Sequence, residues 1–186
     1  MDFLHVSSRE LSPGTVLKPY GMDLHMQRGL NVARLVIDFR PEDTISMVFV
    51  AKMIEWQLNN KISGEFANMI VEHMLEKTRQ QMFPHRPSRL GASFLFPEMA
   101  AAQNFIRHYR ESRSYVYKCE VESDNHVTCD MALINSHNIS YETDSVTEME
   151  ALRERCVKYW TAEKPMALPE VIVPGVVRIS KLIART

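Results

Sequence analysis

The sequence has few cysteines, and they are not arranged to build a framework. Cys119, Cys129 and Cys156 are the three cysteines in 186 residues, and none of them stands in a paired spacing. An odd number without paired spacing argues against a disulfide framework or a zinc knuckle, so we expect reduced thiols. The histidines also lack partners at ligand spacing, and we expect no metal site.

Long apolar runs and an excess of one charge sign are also absent. No apolar run approaches the roughly 20 residues of a membrane-spanning helix, and the first residues lack the cationic and apolar segments of a secretion signal. The net charge is −1, and Lys and Arg are scattered, so no basic stripe indicates nucleic-acid binding. We therefore expect no membrane span and a cytoplasmic location.

The composition is that of a globular chain. Hydrophobic residues make up 45% and charged residues 24%, which argues against a disordered protein. No internal repeat, low-complexity tract or linker divides the sequence. We expect a single domain over residues 1–186.

Hydrophobic periodicity predicts the order strand, helices, strand, helix, strand, helix, strand, strand. Two helices are predicted after Pro41 and Ser63, so residues 41–82 form an all-helical block. Two further helices are predicted to begin at Pro97 and at Ser145. The predicted strands cover residues 3–8, 93–96, 114–122, 170–173 and 176–183, the last two joined by the turn Pro174-Gly175. This order predicts a mixed α/β or α+β fold around a twisted sheet.

The short motifs of nucleotide-binding loops, zinc proteases, thiol redox sites and serine hydrolases are missing. Three other segments carry a pattern, and they come in this order: Phe3-Leu4-His5-Val6-Ser7-Ser8 before a Pro-Gly turn, Ala92-Ser93-Phe94-Leu95-Phe96 before an Ala-rich helix, and Pro169-Glu170-Val171-Ile172-Val173. Together they resemble the ADP-ribosyltransferase superfamily, and most of all the small bacterial enzymes that ADP-ribosylate rifamycin. The resemblance implies an α+β fold with a twisted mixed or antiparallel sheet, in which about 41–82 is a helical insertion.

The resemblance also implies that NAD is the substrate and that a carboxylate stabilises an oxocarbenium-like ribose. Two acids match the superfamily's positions, Glu170 and Asp130. We favour Glu170 because its strand context is the closer match, and Asp130 would then position substrate or be structural.

The other roles follow from the same resemblance. His5 would bind the adenosine ribose, and the backbone of Val6 would contact nicotinamide. Ser7, which begins the hydroxyl-rich turn after them, would also belong to the NAD-binding residues. Phe94 would stack on nicotinamide, and Ser93 could hold its carboxamide. Val6 and Phe94 stand where the superfamily usually has Gly and Tyr. Either of two arginines could pair with the pyrophosphate, Arg86 or Arg89.

The function that these expectations describe is mono-ADP-ribosylation of a macromolecule, protein or nucleic acid, by a toxin or effector. The helical block at 41–82 would shape target recognition or dock an antitoxin or chaperone. The alternatives are an NAD hydrolase and a catalytically silent protein that binds a nucleotide or a partner. Each of these residues also has a structural interpretation. His5 would be a buried histidine, Phe94 a core residue and Glu170 an exposed residue at a strand start. The two arginines would solvate a loop.

Overall fold

The computed structural model describes residues 2–20, 65–134 and 145–186. In these ranges the chain has the predicted α+β class. The strands are β1 (Phe3–Ser7), β2 (Ala92–Leu95), β3 (Tyr115–Val121), β4 (Val127–Asp130), β5 (Pro169–Pro174) and β6 (Val177–Arg185). The helices are α1 (Glu65–Met82), α2 (Met99–Tyr109) and α3 (Ser145–Thr161), with a short 3₁₀ helix at Met131–Ile134.

The described strands form two antiparallel sheets, where the sequence predicted one. The first sheet has the order β1-β3-β6 and the second has the order β2-β5-β4. A reciprocal pair of backbone hydrogen bonds joins them, from the amide of Leu4 to the carbonyl of Phe96 at 2.9 Å and from the amide of Phe96 to the carbonyl of Leu4 at 2.7 Å. This bridge brings β1 and β2 side by side at the junction of the sheets.

β5 and β6 follow each other through a tight turn but do not pair with each other as a hairpin. β5 pairs with β2 and β4, and β6 pairs with β3. Gly175 at the turn has φ of 85°, a conformation that glycine adopts without steric cost. The predicted turn is confirmed, but it carries the chain from one sheet to the other.

α1 and α3 cover the second sheet. Val71 and Leu75 of α1 share a buried cluster with Leu152, Cys156 and Trp160 of α3. The helical period after Ser145 predicts an apolar stripe of Met149, Leu152, Cys156 and Trp160. The buried positions of Leu152, Cys156 and Trp160 confirm this part of the stripe. The indole Nε1 of Trp160 donates to the carbonyl of Leu75 at 2.9 Å, and this hydrogen bond ties the two helices together.

α2 covers the face of the first sheet that carries Val6 and Val116. Its buried Ala101 and Ala102 pack against Val6 of β1 and Val116 of β3. Small side chains allow the helix to approach the strands closely. The ring centroid of Phe105 in α2 lies 4.9 Å from that of Phe96, so α2 reaches the junction of the two sheets.

Most of the predicted strands and helices correspond to elements of the described structure. The strands at 3–8, 93–96, 114–122, 170–173 and 176–183 and the helices at Pro97 and Ser145 correspond to observed elements. The helix predicted after Ser63 is α1, whereas the one predicted after Pro41 lies outside the described residues. The single domain over 1–186 stays a prediction. In the described ranges, no helix combines the length and apolarity that a membrane span requires, and the cytoplasmic location stays a prediction.

Candidate functional site

A cleft of about 400 Å³ opens at the junction of the two sheets. β1 lines it with His5 and Val6, β2 contributes Phe94, and Glu170 comes from the start of β5. The wall also includes Arg89, from the loop before β2. These five residues come from three segments that are far apart in the sequence, and each of them was predicted as a site residue.

A second hollow of about 420 Å³ adjoins this cleft and shares His5 and Phe94 with it. Ser7 and Ser93 line the second hollow. The Ser93 hydroxyl is buried and has no hydrogen-bond partner among the described residues. The Ser7 hydroxyl is occupied locally, because it donates to the carbonyl of Arg9 at 2.8 Å and accepts from its amide at 3.2 Å. Ser93 is therefore the better placed of the two serines to bind a ligand.

A buried cluster of four polar side chains lies at the inner end of the cleft. Glu72, Arg89 and Glu170 line the cleft, and the fully buried Tyr159 bonds to Arg89 and Glu170 behind them. Arg89 donates from Nε and Nη2 to the two carboxylate oxygens of Glu72, at 2.9 and 2.8 Å. Its Nη1 reaches Oε1 of Glu170 at 2.5 Å and also bonds to the hydroxyl of Tyr159. That hydroxyl in turn donates to the same Oε1 at 2.9 Å. Two carboxylates and a phenol thus share one guanidinium.

The charges of this cluster support one another. Burial alone lowers the pKa of the Arg89 guanidinium, but the charges of Glu170 and Glu72 outweigh it and hold that pKa well above its usual value. Burial raises the pKa of the Tyr159 hydroxyl well above its usual range, so the phenol keeps its proton and remains a donor. The cluster contains two carboxyl groups and one guanidinium, so it has one acidic group more than it has basic groups.

The two oxygens of Glu170 have different surroundings. Both hydrogen bonds that Glu170 accepts from the described residues go to Oε1. Although only 3% of the residue is exposed, Glu170 lines the cleft. The interpretation of Glu170 as an exposed residue at a strand start is therefore wrong. Its second oxygen, Oε2, has no protein donor in the part of the chain that the structure describes.

Phe94 stands between the charge cluster and the second hollow. The guanidinium carbon of Arg89 lies 4.3 Å from the centroid of its ring, which is a cation–π contact. The ring of Tyr20 lies 5.0 Å from it, tilted by 56°. Phe94 is half-buried and lines both hollows, so it serves as a wall of the site as well as a packing residue.

His5 is neutral at neutral pH. Burial lowers its pKa, the backbone of Phe94 opposes this effect, and the charge of Arg110 adds to the lowering. Its Nδ1 is buried and has no hydrogen-bond partner among the described residues. A neutral imidazole with a free ring nitrogen suits the orienting role that the sequence predicted for it.

The two arginines predicted as possible partners of the pyrophosphate differ in position. Arg89 is 6% exposed and its guanidinium bonds to Glu72, Tyr159 and Glu170, so the interpretation that it solvates a loop is wrong. Arg86 is half-buried and lines neither hollow. Neither guanidinium is presented to the cleft as a free anion site.

Asp130, the second candidate acid, has backbone partners and does not line the cleft. Its Oδ1 accepts from the amides of Ala132 and Leu168, at 3.0 and 2.9 Å, and its Oδ2 accepts from the amide of Ala167 at 2.9 Å. These hydrogen bonds hold the segment before β5 against the end of β4. A structural role accounts for the position of Asp130.

Glu72 and Tyr159 were not predicted as site residues. Both had a signal in the sequence: Glu72 lies beside Val71 and Leu75 within the helical block, and Tyr159 follows Cys156 at helical spacing. A polar group on an apolar stripe requires a buried partner. The sequence does not show that this partner is the same arginine for both.

A family model described as a protein of unknown function, DUF2441, matches residues 37–185. The chain belongs to the DUF2441 family. The part that matches the DUF2441 model contains Glu72, Arg89, Phe94 and Glu170, whereas His5 precedes it. A search of curated proteins found no match to this DUF2441 protein.

Proposed function

We propose that the protein is an NAD-dependent mono-ADP-ribosyltransferase that modifies a macromolecular acceptor. The observation that carries the proposal is that His5, Phe94 and Glu170 line one cleft. They come from segments that resemble the ADP-ribosyltransferase superfamily and that are far apart in the sequence. A cleft of about 400 Å³ has the size of an ordinary ligand site.

In the proposed reaction, the bond between the nicotinamide nitrogen and the anomeric carbon of the ribose breaks. Its electron pair leaves with nicotinamide, and the ribose develops oxocarbenium character. A nucleophile of the acceptor then bonds to the anomeric carbon and releases its proton to solvent. Glu170 is suited to stabilise the positive charge on the ribose, because it is a preorganised carboxylate in a buried setting.

The remaining residues are suited to bind and orient NAD. Phe94 offers a ring for the nicotinamide to stack on, and Val6 lines the same cleft. His5 offers a free ring nitrogen to a ribose hydroxyl, and the unpartnered Ser93 hydroxyl can bind a carboxamide. The pyrophosphate site is not assigned to Arg86 or Arg89, since neither presents a free guanidinium to the cleft.

The buried phenol and guanidinium that hold Glu170 favour a catalytic protein over a silent binder. A carboxylate kept in place by Arg89 and Tyr159 within a ligand-sized cleft is an arrangement that simple ligand binding does not require. An NAD hydrolase would use the same residues and transfer ADP-ribose to water. The acceptor therefore has to be established by experiment.

The test compares the wild type with Glu170→Gln and Glu120→Gln. Glu120 is an exposed glutamate of β3, so its substitution removes one strand carboxylate outside the cleft. The proteins are incubated with labelled NAD and a whole-cell lysate that is divided and treated with protease or with nuclease. Circular dichroism and thermal melting check that each variant folds, and Glu170→Asp serves as a second variant that keeps the charge.

We expect label to enter a macromolecular fraction with the wild type and with Glu120→Gln. Loss of one preorganised electrostatic group typically costs about 100- to 1,000-fold in kcat, and Glu170→Gln is expected to fall in that range. Nicotinamide release without labelling would identify a hydrolase. A folded wild type that neither binds NAD nor releases nicotinamide would refute the proposal.

A further inference from the structure

Glu72 lies in the charge cluster, although nothing in the resemblance assigns it a role. We infer that Glu72 is a positioning residue: it holds Arg89 so that Glu170 keeps one oxygen, and an uncompensated negative charge, available to a cationic ring in the cleft. The role of Glu72 in turnover rests on the proposed function. Its effect on the charge of the cleft can be measured separately.

The hydrogen bonds of Arg89 carry the first part of the argument. Both carboxylate oxygens of Glu72 accept hydrogen bonds from one edge of the guanidinium, from Nε at 2.9 Å and from Nη2 at 2.8 Å. Such a two-point pairing is the preferred geometry between arginine and a carboxylate. Because Glu72 occupies it, Glu170 receives a single N–H at Oε1. Without Glu72, the guanidinium is free to turn its fork to Glu170 and engage both of its oxygens.

The balance of charge carries the second part. Arg89 faces two carboxylates, and all three side chains are buried, with exposed fractions of 7%, 7% and 3% for Arg89, Glu72 and Glu170. Removing the charge of Glu72 leaves Glu170 neutralised by Arg89. Interactions between charges are stronger in such a setting than in water. Arg110, which also lines the cleft, is exposed, so solvent screens its charge.

The position of Glu72 gives α1 a part in the site. α1 lies within the block that the resemblance treats as a helical insertion. Since its Val71 and Leu75 are buried in the core, the helix holds Glu72 rigidly against Arg89. A helix that packs on the second sheet therefore supplies a side chain to the junction of both sheets.

The same helix offers a matched control, Glu76, one turn after Glu72. Glu76 pairs with Arg79 at 2.8 Å and accepts from the hydroxyl of Ser88 at 2.8 Å. It lines neither hollow. Glu76→Gln thus removes a partly buried ion pair of α1 and leaves the cluster around Glu170 intact.

The first arm of the experiment measures nicotinamide release by the wild type, Glu72→Gln, Glu72→Asp and Glu76→Gln. For Glu72→Gln we expect kcat to fall by about 100-fold, the size of effect seen for one preorganised group, with KM changed by less than about threefold. Glu72→Asp restores the charge and should recover part of kcat. Glu76→Gln should match the wild type in both parameters, even if its melting temperature is lower.

The second arm requires no turnover and uses two probes, 1-methylnicotinamide, which is a cation, and nicotinamide, which is neutral. Calorimetry should show that the wild type and Glu76→Gln prefer the cation by about tenfold, or about 1.4 kcal/mol. Glu72→Gln should lose this preference while its affinity for nicotinamide stays the same.

The two arms separate the possible failures. A wild type that releases no nicotinamide but prefers the cation through Glu72 would refute the proposed function and retain the charge role of Glu72. Glu72→Gln behaving like Glu76→Gln in both arms would overturn the inference. If Glu72→Gln does not fold, the wild type and Glu72→Asp are compared instead. The inference would then be overturned if each of these proteins binds 1-methylnicotinamide and nicotinamide with the same affinity.

Discussion

Glu170 and Asp130 are acidic side chains on neighbouring strands, but their hydrogen-bond donors differ. In the pairing of β4 with β5, Cys129 stands opposite Glu170 and Asp130 stands opposite Pro169. Glu170 lines the cleft and accepts hydrogen bonds from two side chains, Arg89 and Tyr159. Asp130 binds three backbone amides. At the scale of residues, this difference distinguishes a carboxylate that can act on a ligand from one that holds the chain.

Substitution of Asp130 should therefore affect stability and spare turnover. Asp130→Ala removes the acceptor of three amides, and unsatisfied donors cost about 1–3 kcal/mol when buried. Since Ala167 is exposed, we expect a total loss of about 2–4 kcal/mol in the free energy of unfolding, measured in urea. Asp130→Asn, which keeps an acceptor oxygen, should lose less and retain kcat for nicotinamide release. A folded Asp130→Asn without turnover, beside an active Glu170→Gln, would reverse the assignment of the acid.

At the scale of elements, the contact between α1 and α3 supports both the core and the site. α1 carries Glu72, and α3 carries Tyr159. Trp160 is fully buried between them and bonds to the carbonyl of Leu75. The packing of these two helices thus sets the distance between the two groups that flank Arg89.

Trp160→Ala should destabilise the protein by about 3–5 kcal/mol, because removal of a large buried aromatic side chain leaves a cavity. Trp160→Phe keeps most of the packing and loses the hydrogen bond, so its cost should be about 1–2 kcal/mol. Urea denaturation followed by circular dichroism measures both. Lys158→Ala, an exposed change on α3, should stay within about 0.5 kcal/mol of the wild type. A Trp160→Ala loss as small as that of Lys158→Ala would contradict the packing described for α1 and α3.

At the scale of the whole molecule, free and buried thiols lie in both halves of the core. Cys119 belongs to the cluster around β3 and β6, whereas Cys129 and Cys156 belong to the cluster beneath α1 and α3. Burial raises the pKa of each of these thiols to about 12. The thiols consequently stay protonated and unreactive in the folded state near neutral pH.

This shift predicts a loss of stability in alkaline solution. The ordinary thiol pKa of 9.0 applies to the unfolded chain, and the folded value is about 12. A pKa raised by folding stabilises the protein below the unfolded value, and that stability is lost as pH rises from about 9 to about 12. The urea midpoint should therefore fall over this interval, and it should fall less steeply in Cys129→Ala. Rapid modification of the native thiols by a thiol reagent near pH 8 would contradict the burial.

Much of the local structure could be predicted from the sequence. The strand predicted at 114–122 and the buried positions of Leu152, Cys156 and Trp160 in the helix after Ser145 were correct, because an apolar period reports the type of an element and the side of a helix that is buried. β4 was missed, because the alternation of Val127 and Cys129 extends over only four residues. His5, Phe94 and Glu170 were named from motif order, and the structure brings them to one cleft, although their roles toward NAD stay predictions.

The sequence by itself determined the α+β class, most element positions and the turn at Gly175, since these depend on local periodicity and backbone preference. Only the tertiary structure decided that β5 and β6 belong to different sheets and that Arg89 is buried between Glu72 and Glu170. The physical reason is that partners across a core are chosen by long-range packing and by the need to pair buried charges. Neither long-range packing nor the pairing of buried charges leaves a pattern in residues that are adjacent in the sequence.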